Sequence, residues 1–356
     1  MRPRISLLLP FLFTTPIIAD YESDAVNAIK TLQNKFYDTN TGLWKGTTFN
    51  QLWWQSGNMV ETIARFGIHD ASFKDTAKSI VANTYAKSAA QNGGSWKNDY
   101  YDDMGWWAMG WVASYDLTGD VKYLNTAKDI FEDMTGGWTT PCKGGIWWDK
   151  KKTSIAAISN ELFLSVAAHL ANRVPAAEKE NYRHWALAEW DWFSKSGIIN
   201  GDSVINDGID QKSCKNDGKT VYTYNQGVIL GGLSELAKAT SNGVYIDAAK
   251  KIANGAINKL SSNGIFTETA SKDGKLDEQG ALFKGAFVRN LALLIGNAGG
   301  VDNFKSFLKK NADSAWAKDK NGDGVFGPRW QGPDGDANTA SHAAGVDLLV
   351  AAAVAG

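Results

Sequence analysis

The chain has 356 residues, 37 basic against 38 acidic, and a formal net charge of −1. It carries no basic run, which excludes the electrostatics of nucleic-acid or anionic-membrane binding, and its length suits either two domains or one large helical or barrel domain. Fifteen Trp, fifteen Phe and eleven Tyr are many for this length, and planar rings beyond the needs of a core suit a sugar site, where apolar ring faces stack.

The N-terminus reads Met1-Arg2-Pro3-Arg4, then an apolar run from Ile5 to Phe13, then small residues ending at Ala19. A basic head, an apolar stretch too short to span a bilayer and a small-residue cut site predict a secretory signal peptide over residues 1–19. The mature domain is expected over 20–356.

From Asp20 onward two kinds of helix alternate. Amphipathic, charged helices are predicted at Tyr21–Tyr37, Ser72–Gln91, Val121–Met134, Ala176–Lys195, Val244–Leu260 and Val301–Ala317. Helices apolar on all sides are predicted at Leu52–Gly67, Asp102–Leu117, Ile155–Asn172, Tyr224–Ala239, Ala281–Gly296 and Ala337–Val354. The first kind belongs outside and the second inside.

The links repeat as well. A Gly followed by an aromatic recurs in Gly42-Leu43-Trp44, Gly145-Ile146-Trp147, Gly264-Ile265-Phe266 and Gly324-Val325-Phe326. Outer-to-inner links are long and the return links are short turns. The expected fold is therefore all-α, an (α/α)6 barrel of six helical hairpins with function at the long-link end. An open solenoid would need polar capping repeats, whereas the first and last inner helices are both apolar.

Because inner helices begin at the mouth, their first residues should line the site. Trp54, Asn58, Tyr101, Asn160, Tyr224, Asn225, Gln226 and Lys284 are the expected substrate contacts. Neutral amides and hydroxyls beside aromatic faces suit an uncharged polyhydroxylated ligand. Any one of these amides could equally be a cap. Their recurrence at corresponding positions carries the weight.

The segment Tyr100-Tyr101-Asp102-Asp103-Met104-Gly105-Trp106-Trp107 supplies the chemistry. Trp107, Trp111 and Tyr115 recur every four residues, which puts Asp102 and Asp103 in the first turn of a helix. First-turn acids complement the helix dipole, but a cap needs one carboxylate, and two adjacent ones repel. Neighbours there can hold two carboxyls roughly 5–7 Å apart, about the separation that glycosidic bond cleavage uses. Repulsion raises one of the two pKa values and leaves one acid protonated.

Cys142 and Cys214 are the only cysteines. In a secreted chain they predict one disulfide, between the long links entering the third and fourth inner helices. Asp319-Lys320-Asn321-Gly322-Asp323-Gly324 opens like a calcium loop through Asp319, Asn321 and Asp323, but its twelfth position is Trp330 where a bidentate Glu is expected. A plain turn is the alternative. Four scattered histidines argue against zinc, and the reading is that no metal or cofactor is needed.

This pattern resembles glycoside hydrolase family 76, the endo-α-1,6-mannanases and their fungal cell-wall relatives. The resemblance rests on the Tyr101–Trp107 motif, Gly144-Gly145-Ile146-Trp147-Trp148, Ser159-Asn160-Glu161, Tyr224-Asn225-Gln226-Gly227, and Phe283-Lys284-Gly285 with Arg289. It implies a retaining mechanism with Asp102 as nucleophile and Asp103 as acid/base; spacing alone permits the reverse. The implied function is a secreted, extracellular or cell-wall hydrolase of α-1,6-mannan or another mannose-containing glycan, expected as a monomer without membrane attachment in the mature form. Fungal wall relatives often carry a C-terminal anchoring tail, and its lack here favours hydrolysis. A transglycosidase that moves mannose-containing lipid-anchor glycans onto wall polymers would use the same pair, and a non-catalytic mannan-binding wall protein would need only the aromatics and amides.

Overall fold

The structure, a computed structural model, describes residues 20–268, 276–333 and 335–356. The expected signal peptide lies outside the described residues. Among the described residues there are twelve α-helices. Six are outer: α1 (Tyr21–Phe36), α3 (Lys74–Lys87), α5 (Val121–Thr135), α7 (Ala176–Lys195), α9 (Val244–Leu260) and α11 (Asp302–Lys318). Six are inner: α2 (Trp53–His69), α4 (Tyr101–Thr118), α6 (Ala157–Ala171), α8 (Thr223–Thr240), α10 (Phe283–Asn297) and α12 (Thr339–Ala355).

Burial follows the sequence pattern. In α5 the buried set is Tyr123, Leu124, Ala127, Ile130, Phe131 and Met134, one stripe at three-to-four spacing. In α6 every residue is buried, so it has no solvent face. Each large apolar side chain taken out of water contributes roughly 1.5–3 kcal/mol, and about half of them lie on the inner ring.

Each inner helix packs on the next, from α2 through α4, α6, α8 and α10 to α12, and α12 packs back on α2. This last contact closes the barrel. Glycines let the inner backbones approach: a Cβ on Gly227 of α8 would lie 2.3 Å from Phe287 Cα of α10, and one on Gly110 of α4 would lie 2.8 Å from Gly57 O of α2.

The outer helices pack chiefly on the inner helix that precedes them, α3 on α2, α5 on α4, α7 on α6 and α9 on α8, while α1 and α11 both rest on α12. The tight hairpin is thus inner-to-outer, because the short return link leaves no room to diverge. In one such link Gly119 (φ 72) ends α4 and Asp120 caps α5 by accepting from Lys122 N–H at 3.1 Å.

The repeated Gly-aromatic links fold as small antiparallel ribbons that period reading did not foresee. β1 (Tyr37–Asp38) pairs with β2 (Leu43–Trp44), and β6 (Ser261–Ser262) pairs with β7 (Ile265–Phe266). Gly42 and Gly264 turn these ribbons at φ 72 and 78, and the aromatics Trp44 and Phe266 plug fully into the core. A three-stranded sheet of β3 (Ile155–Ala156), β4 (Gly208–Asp210) and β5 (Lys215–Asn216) joins the links that enter α6 and α8. The disulfide between Cys142 and Cys214, with Cα atoms 5.3 Å apart, joins the same two links and braces that side of the rim.

Candidate active site

The N-terminal ends of the inner helices surround a cavity of about 910 Å³. Asp102 and Asp103 from the first turn of α4 line it together. Nothing in the sequence caps α4 with a side chain, because Tyr100 occupies the cap position; the first turn is left to the two acids.

Each acid receives one donor from a neutral side chain. Trp148 Nε1–H donates to Asp102 Oδ2 at 2.9 Å. Asn98 Nδ2–H donates to Asp103 Oδ2 at 2.7 Å. Asp102 Oδ1 is out of contact with solvent and has no hydrogen-bond partner. Trp148 is held by its own loop, since its N–H donates to Ser154 O and its carbonyl accepts from Tyr101 N–H. Its ring also packs against Tyr100, centroids 5.0 Å apart.

Burial raises both carboxyls. Asp102 is pushed up to about 6, the indole of Trp148 working against the shift. Asp103 is pushed up to about 8 by burial and then by the charge of Asp102, with Asn98 opposing. The pair therefore titrates as a unit, and one proton stays on it near neutrality.

Aromatic faces form the walls. Trp54 stacks on Trp106 at 5.7 Å, Trp106 on Tyr224 at 6.5 Å, and Tyr224 on Phe283 at 3.9 Å. Trp54 is fixed by donating Nε1–H to Gln279 Oε1 at 2.6 Å. The Tyr224 hydroxyl is held protonated, by burial first and then by the fields of Asp207 and Asp102. No Lys or Arg stands among the described lining residues.

Of the eight expected substrate contacts, only Trp54 and Tyr224 reach this lining. The other six are buried behind it. Asn160 clamps the Gly-aromatic link, accepting from Ile146 N–H at 2.6 Å and donating to Ile146 O at 3.1 Å. Gln226 does the same for Ile205 at 2.7 and 2.8 Å. Asn58 accepts from Arg289 and donates to Trp54 O. Lys284 donates to Pro328 O at 2.9 Å and lies over the Trp330 ring. Asn225 reaches toward Asp207 at 3.4 Å, and Tyr101 is packed inside the first turn of α4. Asn160 and Gln226 thus satisfy the backbone of the long link that enters their own helix.

Sequence reading missed Asp207, Asp277 and Gln279, which line the cavity from the links before α8 and α10. They sit outside any periodic segment, and Asn206-Asp207-Gly208 reads as a turn. Asp277 turns its own loop by accepting from Gln279 and Gly280 N–H. Its neighbour Glu278 is buried and ties the loop to Thr47 and Thr48 through their N–H groups, at 2.6 and 2.8 Å.

The segment that opens like a calcium loop uses its side chains locally. Asn321 Oδ1 accepts from Asp323 and Val325 N–H, Asp323 faces Lys35 at 3.7 Å, and Asp319 is buried under Gly327 within the field of Lys284. The described residues hold no cluster of three His, Cys, Asp or Glu side chains placed to bind a metal.

Comparison with known proteins agrees with this geometry. The profile described as Glycosyl hydrolase family 76 matches residues 20–355. The chain belongs to glycoside hydrolase family 76. Mannan endo-1,6-alpha-mannosidase DFG5 of Saccharomyces cerevisiae is 30% identical over 251 residues, 65% of this chain and 54% of that protein. The chain spans about half the length of the curated relatives it matches. The GH76A alpha-1,6-mannanase of Salegentibacter sp. HEL1_6 superposes with a TM-score of 0.82 at 25% identity, over 95% of this chain and 100% of that one. An inactive variant of that mannanase, with two adjacent aspartates changed to asparagine, is in complex with alpha-1,6-mannotriose at TM-score 0.80, 25% identity, and the same coverage.

Proposed function

We propose that this family 76 chain is an endo-acting α-1,6-mannosidase that cuts mannan backbone with retention of configuration, Asp102 as nucleophile and Asp103 as acid/base. One observation carries the reading. Two adjacent carboxyls share one aromatic-walled cavity, each with a neutral donor and neither with a cation to hold it ionised.

The roles are those that the family resemblance implies. Asp102 attacks the anomeric carbon through a carboxylate oxygen. The glycosidic C–O bond breaks, its electrons go to the leaving oxygen, and Asp103 gives that oxygen its proton. A glycosyl ester on Asp102 results. Asp103, now ionised, takes a proton from water as the water attacks the same carbon and releases Asp102. The stacked Trp54, Trp106, Tyr224 and Phe283 offer faces for pyranose rings. The leader-like residues 1–19 and the disulfide support secretion to the exterior or wall.

Incubation of the protein with linear α-1,6-mannan tests the reading. Short oligosaccharides with new reducing ends are the expected products. An absence of reducing ends from acid to neutral pH would refute it. Products longer than the donor at modest acceptor concentration would make transglycosylation the main reaction.

A further inference from the structure

We infer that Asn98 is a positioning residue for Asp103: its amide directs the transferable proton to Oδ1, the carboxyl oxygen that the amide leaves free. The inference rests on the reading of Asp102 and Asp103 as the reacting pair, and goes beyond it by fixing which oxygen of the acid reacts.

The hydrogen-bond inventory decides the point. The Asn98 amide nitrogen stands 2.7 Å from Asp103 Oδ2. An NH2 group donates and cannot accept. A carbonyl-type oxygen is a stronger acceptor than a hydroxyl oxygen, so the amide favours Oδ2 as the unprotonated oxygen of neutral Asp103. The proton of neutral Asp103 is left to Oδ1.

The orientation of the amide is itself determined. Asn98 Oδ1 accepts from Tyr100 N–H at 2.9 Å. A flipped amide would set NH2 against that N–H and oxygen against Asp103, losing both bonds. Tyr100 is the cap position of α4, so the amide moves with the helix start that carries Asp103. The segment is pinned further, because Lys150 N–H donates to Asp99 O at 2.8 Å and Tyr100 bridges to Asp149. Asn98 does not line the cavity, so it acts through Asp103 and not on substrate.

The charges around Asp103 do not replace this contact. Asp102, on the same helix, repels the ionised form. Asp149 acts on Asp102 from the facing link, and Asp207 and Asp277 line the far walls. Lys97, the nearest cation in sequence, is turned to Asp129 at 2.7 Å. Among the side chains described around Asp103, Asn98 is the one whose bond favours its ionised form, which the second step needs to take a proton from water.

Two variants test the inference. Asn98→Asp keeps the acceptor for Tyr100 N–H, and with it the loop, but puts a carboxylate where the donor stood. Asn98→Ala removes both. Each is compared with the wild type and with Asp103→Asn on an α-1,6-mannooligosaccharide and on a nitrophenyl α-mannoside. The alkaline limb of the kcat profile should move up by about one pH unit or more in Asn98→Asp, since ionised Asp103 loses a donor and gains a like charge. Turnover of the oligosaccharide should fall roughly 10- to 100-fold, while the first step on the activated aryl substrate falls less than about threefold. Unfolding midpoints should stay at the wild-type value in Asn98→Asp. An unmoved alkaline limb with equal losses on both substrates would overturn the inference and leave Asn98 a loop residue. Wild-type turnover of the oligosaccharide by Asp103→Asn would instead remove the pair from the chemistry, and this inference with it.

Discussion

Two groups of carboxylates in this barrel, one deep and one half-buried at the mouth, are held by different partners. Deep between the inner helices, Glu61 pairs with Arg65 at 2.7 Å and with Arg289 at 3.1 Å, and Arg289 also grips Asp347 with both contacts at 2.8 Å. Burial pushes Glu61 up, but the two guanidinium groups outweigh it and keep its carboxyl below the usual range. Glu235, paired with Arg173 at 2.9 Å, is likewise held low. At the mouth, Asp102 and Asp103 receive only an indole and an amide, and burial wins. Guanidinium partners keep Glu61 and Glu235 low, although burial still raises Asp347 against Arg289, and neutral donors leave Asp102 and Asp103 raised. The mouth pair differs from Glu61 and Glu235 in its partners and also in its half-buried place on the cavity wall.

Substitution at the mouth should break activity without breaking the fold. Asp102→Asn is expected to lower turnover of α-1,6-mannan by several orders of magnitude with an unchanged unfolding transition, measured by reducing-end release and thermal melting. Substitution in the deep group should do the reverse. Arg289→Leu strands Asp347 and half of Glu61, and should destabilise by about 3–5 kcal/mol in denaturant unfolding while activity per folded molecule is retained.

The rim disulfide sharpens the same contrast. Cys142→Ser with Cys214→Ser should lower stability by about 2–4 kcal/mol and leave the catalytic pair, which sits on a different helix, at work. Smaller still is the effect of two acids without a cation. Glu161 in α6 and Glu189 in α7 are fully buried with no cation beside them, and burial raises both well above the ordinary glutamate value, the backbone at Ile229 opposing it only for Glu161. The folded state therefore holds protons that the unfolded state has lost. Their stability contribution is present below the unfolded pKa of about 4.3 and falls away as pH rises toward the folded value. Glu161→Gln or Glu189→Gln should raise stability at pH 8 relative to pH 5 by on the order of 1 kcal/mol or more, read from unfolding curves at both pH values.

Much of this was legible in the sequence. Six apolar and six amphipathic helices, their alternation and the Asp102-Asp103 pair follow from period and motif. The disulfide followed from cysteine arithmetic. The cavity wall was less legible, for a physical reason. An Asn or Gln at a helix start looks the same whether it faces a ligand or a loop backbone, and Asn160 and Gln226 face loop backbones. Asp207 and Gln279 come from links whose path depends on three-dimensional closure of the barrel, so no local pattern announces them. Trp148 was visible in the Gly144–Trp148 motif, but that its indole would reach Asp102 depends on the Ser154 and Tyr101 contacts that fold its loop back.

The central claim is that Asp102 and Asp103 divide the work of one retaining cleavage, and azide rescue tests it most directly. Asp103→Asn is given a nitrophenyl α-mannoside, whose leaving group needs no acid, and the second step stalls for want of a base. Added azide, which needs no base, should restart turnover and yield an α-glycosyl azide, while Asp102→Asn gives no α-azide. Rescue of Asp102→Asn in place of Asp103→Asn would exchange the two roles, and undiminished turnover in both variants without azide would contradict the account altogether.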